Sequence, residues 1–76
     1  MVMRIRDLRT SKGETQLGVA VKMGVAQSAI AMWESGAALP RARDLPLLAH
    51  VLGCTITELY DPDYLAQYTP PDDLAG

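Results

Sequence analysis

Residues 15–36 read TQLGVAVKMGVAQSAIAMWESG, a stretch that predicts two short helices joined by a tight turn. Thr15 is a favourable N-cap residue for a helix that runs from about Gln16 to Met23. Gly24 is expected to end this helix, because glycine adopts the left-handed backbone conformation found at helix C-termini. A second helix is predicted from Gln27 to about Ser35.

Each of these two helices has an apolar face that predicts burial. The inward-facing side chains are expected to be Val19, Ala20 and Met23 in the first helix, and Ala26, Ile30 and Trp33 at positions i, i+4 and i+7 in the second. The opposite face of the second helix carries short neutral or apolar side chains, namely Gln27, Ser28, Ala31, Met32 and Ser35.

The spacing of these helices fits the helix-turn-helix unit, in which a short turn containing glycine holds two helices close to a right angle. The second helix of such a unit can enter the major groove of DNA. A face of small uncharged side chains can approach base edges without a large desolvation cost. The same spacing also fits an ordinary helical hairpin in a small bundle, and spacing alone does not separate the two interpretations.

Helical patterns continue on both sides of this stretch. Before it, Ile5 and Leu8 predict an amphipathic helix over residues 3–12, which Gly13 ends. After it, a fourth helix is predicted over residues 43–52, with Pro46 restricted to its first turn. Its inner face is expected to consist of Leu45, Leu48, Ala49 and Leu52, and Gly53 stops it.

The C-terminal part of the chain predicts one more helix and a tail. Thr55 and Glu58 match the capping box that begins a helix, here carrying Ile56, Leu59 and Tyr60. Asp61-Pro62 is expected to end that helix. The predicted fold is therefore an all-α, compact five-helix bundle, with a helix-turn-helix domain at residues 1–60 and an acidic, proline-containing C-terminal tail at residues 61–76.

Composition restricts the class of protein. The 76 residues are 49% hydrophobic and 21% charged, as expected for one small globular domain. No apolar run approaches the roughly 20 residues of a membrane span, and the N-terminus has no signal-peptide core. With Cys54 as the single cysteine, no intramolecular disulfide or cysteine-based zinc site can form. We therefore expect a cytoplasmic protein with no membrane partner.

Charge is distributed unevenly along the chain. Residues 1–43 contain seven Lys and Arg against three Asp and Glu, a net charge of +4, whereas residues 44–76 contain six acidic residues and no basic one. The basic part could bind a phosphate backbone through one face. It could equally be a solvated surface beside an acidic tail, and both interpretations stay open at this point.

A family resemblance favours the first interpretation. The pattern resembles the helix-turn-helix signature of the phage Cro and lambdoid-repressor type, also called Xre-like. The residues that carry it are Leu8-Arg9, Gln16, Val19-Ala20, Gly24-Val25, Ile30, Trp33-Glu34, Gly36, Pro40, Leu45, Leu48-Ala49, Leu52-Gly53 and Leu59. The resemblance implies a lambda-repressor-like domain that binds double-stranded DNA, usually as a homodimer, and regulates transcription, with a repressor as the expected form.

The resemblance also implies roles for individual residues. Those expected to contact bases are Gln27, Ser28 and Met32. Those expected to contact phosphates are Gln16, Ser35, Gly36, Arg41, Arg43 and Arg9. Arg9 and Glu34 are further expected to form a structural ion pair between the first helix and the end of the recognition helix.

An uncharged recognition helix and an acidic tail motivate an alternative function. The outer face of that helix has no Lys or Arg, and residues 44–76 contain six acidic residues and no basic one. An antitoxin-like or other protein-interaction module with weak DNA binding is therefore the alternative. As a separate departure from the family pattern, Ala26 stands where Ser or Thr often caps the recognition helix. An enzyme is not expected, since the sequence offers no catalytic residues, no metal site and no cofactor motif, and His50 is the single histidine.

Overall fold

The computed structural model describes residues 2–67, and this part of the chain is built from short helices. They are α1 (Ile5–Ser11), α2 (Gln16–Met23), α3 (Gln27–Ser35), α4 (Leu45–Leu52) and α5 (Pro62–Ala66). Two 3₁₀ turns cover Ala42–Asp44 and Thr57–Leu59. Within residues 2–67 the β pairing is limited to one isolated bridge, between Met3 and Tyr60. The predicted all-α, five-helix architecture is confirmed.

The helix-turn-helix stretch has the predicted bounds, because its boundary signals are local. The hydroxyl oxygen of Thr15 accepts a hydrogen bond from the Gly18 N–H at 2.9 Å and so caps α2. Gly24 ends α2 with a φ of 71°, in the left-handed region that glycine tolerates. Ala26 precedes α3 in an extended conformation and makes no side-chain cap bond. As the sequence predicts, α3 therefore has no side-chain cap at its N-terminus.

The core lies where α2 packs against α3 and α4. Its largest fully buried side chains come from five different segments of the chain, and they are Ile5, Val19, Ile30, Leu48 and Leu59. The predicted inner faces of α2 and α4 are buried, except that Leu45 is only half-buried.

The prediction that Ala26 is buried is wrong. This residue is exposed, because the helical spacing that relates it to Ile30 begins only after the extended cap position. Val25 and Ala29 pack against the core at this point instead.

The helix predicted over residues 55–60 is only a single 3₁₀ turn, although its capping box is present. The Thr55 N–H donates to Glu58 Oε1, and the Glu58 N–H donates to Thr55 Oγ1. The turn ends at Leu59, whose carbonyl accepts a hydrogen bond from the Arg4 N–H at 2.7 Å. Because this bond pairs the segment with the N-terminus, the chain becomes extended at Tyr60.

Asp61-Pro62 begins a helix instead of leading directly into a tail. The Asp61 carboxylate accepts a hydrogen bond from the Asp63 N–H at 2.8 Å, and Pro62 occupies the first turn of α5, where a missing N–H costs nothing. Other bounds differ by a few residues: α1 is shorter than predicted, and α4 begins at Leu45 after a 3₁₀ turn. The remainder of the predicted tail, including Tyr68, lies outside the described residues.

Candidate nucleic-acid interface

Helix α3 presents the outer face that its sequence predicts. Ile30 and Trp33 anchor it in the core, so the side chains on the other side of the helix remain accessible. The exposed residues of this face are Gln27, Ser28, Met32 and Ser35. It follows that all three residues expected to contact bases are free to contact another molecule.

Arg9 and Glu34 join α1 to the end of α3 through a two-pronged ion pair. Arg9 Nε donates to Glu34 Oε2 at 2.6 Å, and Arg9 Nη2 donates to Glu34 Oε1 at 3.1 Å. A third bond runs from Arg9 Nη1 to the carbonyl of Glu14 at 2.9 Å. The exposed fractions of the Arg9 and Glu34 side chains are only 12% and 5%, so the pair is largely shielded from water.

Glu34 also orients Gln16 in the first turn of α2. Gln16 Nε2 donates to Glu34 Oε1 at 3.0 Å. Burial tends to raise the pKa of Glu34, but the hydrogen bonds from Arg9 and Gln16 and the charges of Arg9 and Arg6 outweigh burial and lower this pKa below its ordinary value. The carboxylate is therefore ionised at neutral pH, and it holds α1, α2 and α3 in a fixed relation.

A cleft of about 310 Å³ opens beside this network. Its lining residues come from α1, α2 and α3, and they are Arg6, Arg9, Gln16, Ala31, Glu34 and Ser35. The structure thus brings together three of the residues expected to contact phosphate, namely Gln16, Arg9 and Ser35.

The cleft also contains Arg6, which is not among the residues expected to contact DNA. Arg6 lies three residues before Arg9 in α1, and this spacing places the two side chains on the same face of the helix. The spacing predicts this shared face, but it does not distinguish Arg6 from any other solvated charge on the helix.

Ser35 and Gly36 form the turn that follows α3. Ser35 Oγ donates to the carbonyl of Met32 at 3.1 Å and accepts from the Ala37 N–H at 3.3 Å. Gly36 has a φ of 83°, which lets the chain turn away sharply after the helix. Both residues are exposed, so the backbone of this turn is accessible.

Arg41 and Arg43 are exposed as well, but they lie outside the cleft. They belong to the 3₁₀ turn before α4, where the Arg41 N–H donates to Asp44 Oδ2 at 3.2 Å. The structure therefore places the predicted phosphate contacts at the cleft, at the turn that contains Gly36, and at the turn before α4.

The described residues 2–67 were compared with the requirements of a metal site, a reactive thiol and a membrane-spanning helix. No cluster of three His, Cys, Asp or Glu side chains capable of holding a metal ion occurs in this range. Burial, with a smaller contribution from Glu58, raises the pKa of the half-buried Cys54 thiol, which disfavours the reactive thiolate. None of the helices in the described range is both long and apolar enough to cross a bilayer.

Comparison with known proteins identifies the fold. A helix-turn-helix family model matches residues 5–59. The chain belongs to this helix-turn-helix family. A chain of the solved SinR protein–SinI protein complex is 26% identical to it and superposes with a TM-score of 0.71, covering 95% of this chain and 71% of the other.

A curated relative of this helix-turn-helix protein comes from Enterococcus faecalis. The HTH-type transcriptional activator BcrR is 34% identical over 62 residues, which cover 82% of the present chain. The match spans only 30% of the length of BcrR, so the similarity concerns the helix-turn-helix part of that protein.

Proposed function

We propose that this protein is a non-enzymatic, sequence-specific DNA-binding regulator that inserts α3 into the major groove of DNA. The observation that carries the proposal is the position of the exposed, uncharged face of α3 beside a cleft lined by arginine and glutamine side chains. A helix docked in this way contacts base edges with one face, while groups at its flanks bind the backbone.

Base recognition is assigned to Gln27, Ser28 and Met32. A glutamine amide can bond N6 and N7 of adenine together, and a serine hydroxyl can bond several bases. Met32 has no hydrogen-bond donor, so it contacts a thymine methyl group. Because this face lacks the arginine that most often reads guanine, we expect a preference for A/T-rich sites.

Backbone contacts are assigned to residues in three places of the fold. Gln16, Arg9 and Ser35 lie at the cleft, while Gly36 continues the turn after α3, and Arg41 and Arg43 precede α4. Most of the affinity is expected to come from these contacts, since phosphate binding dominates protein–DNA affinity.

A salt series tests this function directly. Binding to a mixed-sequence duplex is measured by fluorescence anisotropy between about 50 and 200 mM salt. A regulator that neutralises several phosphates loses affinity steeply over this range, with a slope of about −0.9 per phosphate in a plot of log affinity against log salt. Weak binding with a flat salt dependence would overturn the proposal.

Repression is the simplest regulatory outcome, because protein bound over a promoter blocks polymerase. The Enterococcus faecalis relative is named an activator, so activation is the other outcome of a reporter assay. A promoter reporter carrying the preferred site, compared with and without the protein, distinguishes the two.

The second candidate function is an antitoxin-like or other protein-interaction module. The side chains of Leu17 and Val21, one turn apart on α2, are 57% and 72% exposed, and this apolar pair suits a protein partner. The structural relative was solved as a complex of two proteins. Flat salt dependence in the anisotropy series favours this function over DNA binding.

A further inference from the structure

The cleft beside α3 contains charges that largely cancel one another. Arg9 donates two hydrogen bonds to Glu34, and the carboxylate compensates the guanidinium charge. Gln16 also donates to Glu34 through Nε2. Two of the residues assigned to phosphate contact are therefore committed to the same carboxylate within the protein.

Arg6 is placed differently. Its side chain lines the same cleft and is exposed, and it forms no hydrogen bond or salt bridge with any residue in the described range 2–67. The charge of Arg6 acts at the cleft, since it contributes to lowering the pKa of Glu34. Arg6 thus supplies the uncompensated positive charge at this position.

Lys12, Lys22 and Arg4, the other basic residues near α1 and α2, interact with groups outside the cleft. Lys12 Nζ donates to the carbonyl of Val51 at 2.8 Å, at the C-terminal end of α4. Lys22 pairs with Glu14. Arg4 acts electrostatically on Cys54 and Glu58, and none of Arg4, Lys12 and Lys22 lines the cleft.

We propose that Arg6 binds a DNA backbone phosphate seated in this cleft. A guanidinium group can bind two phosphate oxygens at once. Arg9 and Gln16 line the same cleft. Glu34 is then a positioning residue, since it fixes Arg9 and Gln16 without contacting the anion. The inference rests on the proposed function and names the residue that supplies the charge at its phosphate site.

Substitutions of Arg6 test the assignment in the full chain. Arg6→Gln should lower affinity for a mixed-sequence duplex about tenfold at low salt, as expected for loss of a charge-assisted hydrogen bond. It should also reduce the slope of log affinity against log salt by about 0.9. Arg6→Lys keeps the charge and should keep the slope, while losing affinity through the lost two-pronged geometry.

Arg4→Gln is the matched control, because it removes the same charge from the same segment but away from the cleft. Its slope should stay close to that of the wild type. Thermal melting followed by circular dichroism should show that Arg6→Gln is folded, since the side chain is exposed, and Arg6→Ala provides a second neutral variant with higher helix propensity.

The possible outcomes separate this inference from the proposed function. A steep slope in the wild type that is unchanged in both Arg6→Gln and Arg6→Ala overturns the role of Arg6 and leaves the regulator intact. An equal loss of slope in Arg4→Gln also overturns it, because the effect would then be one of net charge. A flat slope in the wild type overturns both proposals.

Discussion

At the scale of single residues, the carboxylate of Glu34 connects three helices. One carboxylate oxygen accepts hydrogen bonds from Arg9 and Gln16, and the other accepts a second bond from Arg9. Since these partners lie on α1 and α2, a single side chain of α3 sets the position of both neighbouring helices. A buried charge of this kind is stable only while its partners remain in place.

Arg9→Ala should therefore destabilise the fold. Removing one member of a shielded pair leaves the other charge without compensation, and we expect the free energy of unfolding to fall by about 3 kcal/mol. Urea denaturation followed by circular dichroism measures the change. Arg43→Ala is the control, because an exposed arginine should alter stability by no more than about 0.5 kcal/mol. Equal stability of the two variants would show that the pair contributes little.

The same pair predicts a pH dependence of stability. The pKa of Glu34 is lowered in the folded protein, so its stabilisation is complete above the ordinary glutamate pKa of about 4.3. The stabilisation is then lost as the pH falls through the lowered value. Glu34→Gln should be less stable than the wild type at neutral pH, and this difference should shrink in acid. Urea denaturation at a series of pH values checks it, and a difference that does not vary with pH would contradict the lowered pKa.

The residues of the cleft show which parts of the site can be predicted from the sequence and which cannot. The pairing of Arg9 with Glu34 was expected from a family resemblance, because two residues so far apart in the chain cannot be matched from helical spacing. Arg6 was not selected, since an exposed arginine on an amphipathic helix resembles any other solvated charge. Its significance depends on Glu34 neutralising Arg9, which is visible only in three dimensions.

At the scale of elements, the start of α3 is a point where stability can be gained. Ala26 occupies the N-cap position with φ −71° and ψ 148°, a conformation suited to a capping side chain, but alanine cannot accept a hydrogen bond. Ala26→Ser should raise the free energy of unfolding by about 1 kcal/mol, as measured by urea denaturation.

Thr15→Ala provides the reciprocal test of this capping effect. It removes the existing cap of α2 and should cost a similar amount of stability. If Thr15→Ala destabilises the protein but Ala26→Ser does not stabilise it, the free N–H groups at the start of α3 already have other hydrogen-bond partners.

The proposed role of α3 in base recognition predicts that a substitution on its outer face weakens DNA binding without lowering stability. Gln27 is exposed in the first turn, so Gln27→Ala should leave the melting temperature unchanged. Binding to a preferred site should weaken by about 1–3 kcal/mol through loss of one base contact. Anisotropy and thermal melting measure the two effects, and Gln67→Ala, which removes an exposed amide far along the chain, is the control. A large loss of stability would make Gln27 a structural residue.

The elements also show which sequence signals are reliable. The bounds of α2 and α3 agree with the prediction because local residues set them. Thr15 caps the start of α2, Gly24 ends α2, and Gly36 ends α3. The region after Thr55 was predicted incorrectly because its conformation depends on a distant segment. The Arg4 N–H donates a hydrogen bond to the Leu59 carbonyl, and the Asp61 N–H donates one to the Val2 carbonyl at 2.8 Å. These bonds end the 3₁₀ turn early and place Asp61 where it caps α5.

At the scale of the whole molecule, charge and geometry together favour binding in pairs. The basic residues belong to the first 43 residues, whereas the rest of the chain carries a net charge of −6. One protein molecule therefore offers few cations to a duplex, and α3 has only nine residues with which to read bases. Two copies on one site would double both the phosphate contacts and the base contacts, which is why we propose a homodimer on DNA.

Selection of bound sites from random duplexes tests the homodimer. Two recognition helices in successive major grooves require inverted half-sites with centres about 34 Å, or about 10 base pairs, apart. Inserting about five base pairs between the half-sites places them on opposite faces of the duplex, so affinity should fall to that of a single half-site. Inserting about ten base pairs restores the face and serves as the control for spacing alone. Selection of a single unpaired half-site, or affinity that is insensitive to the shorter insertion, would show that the protein reads DNA as a monomer.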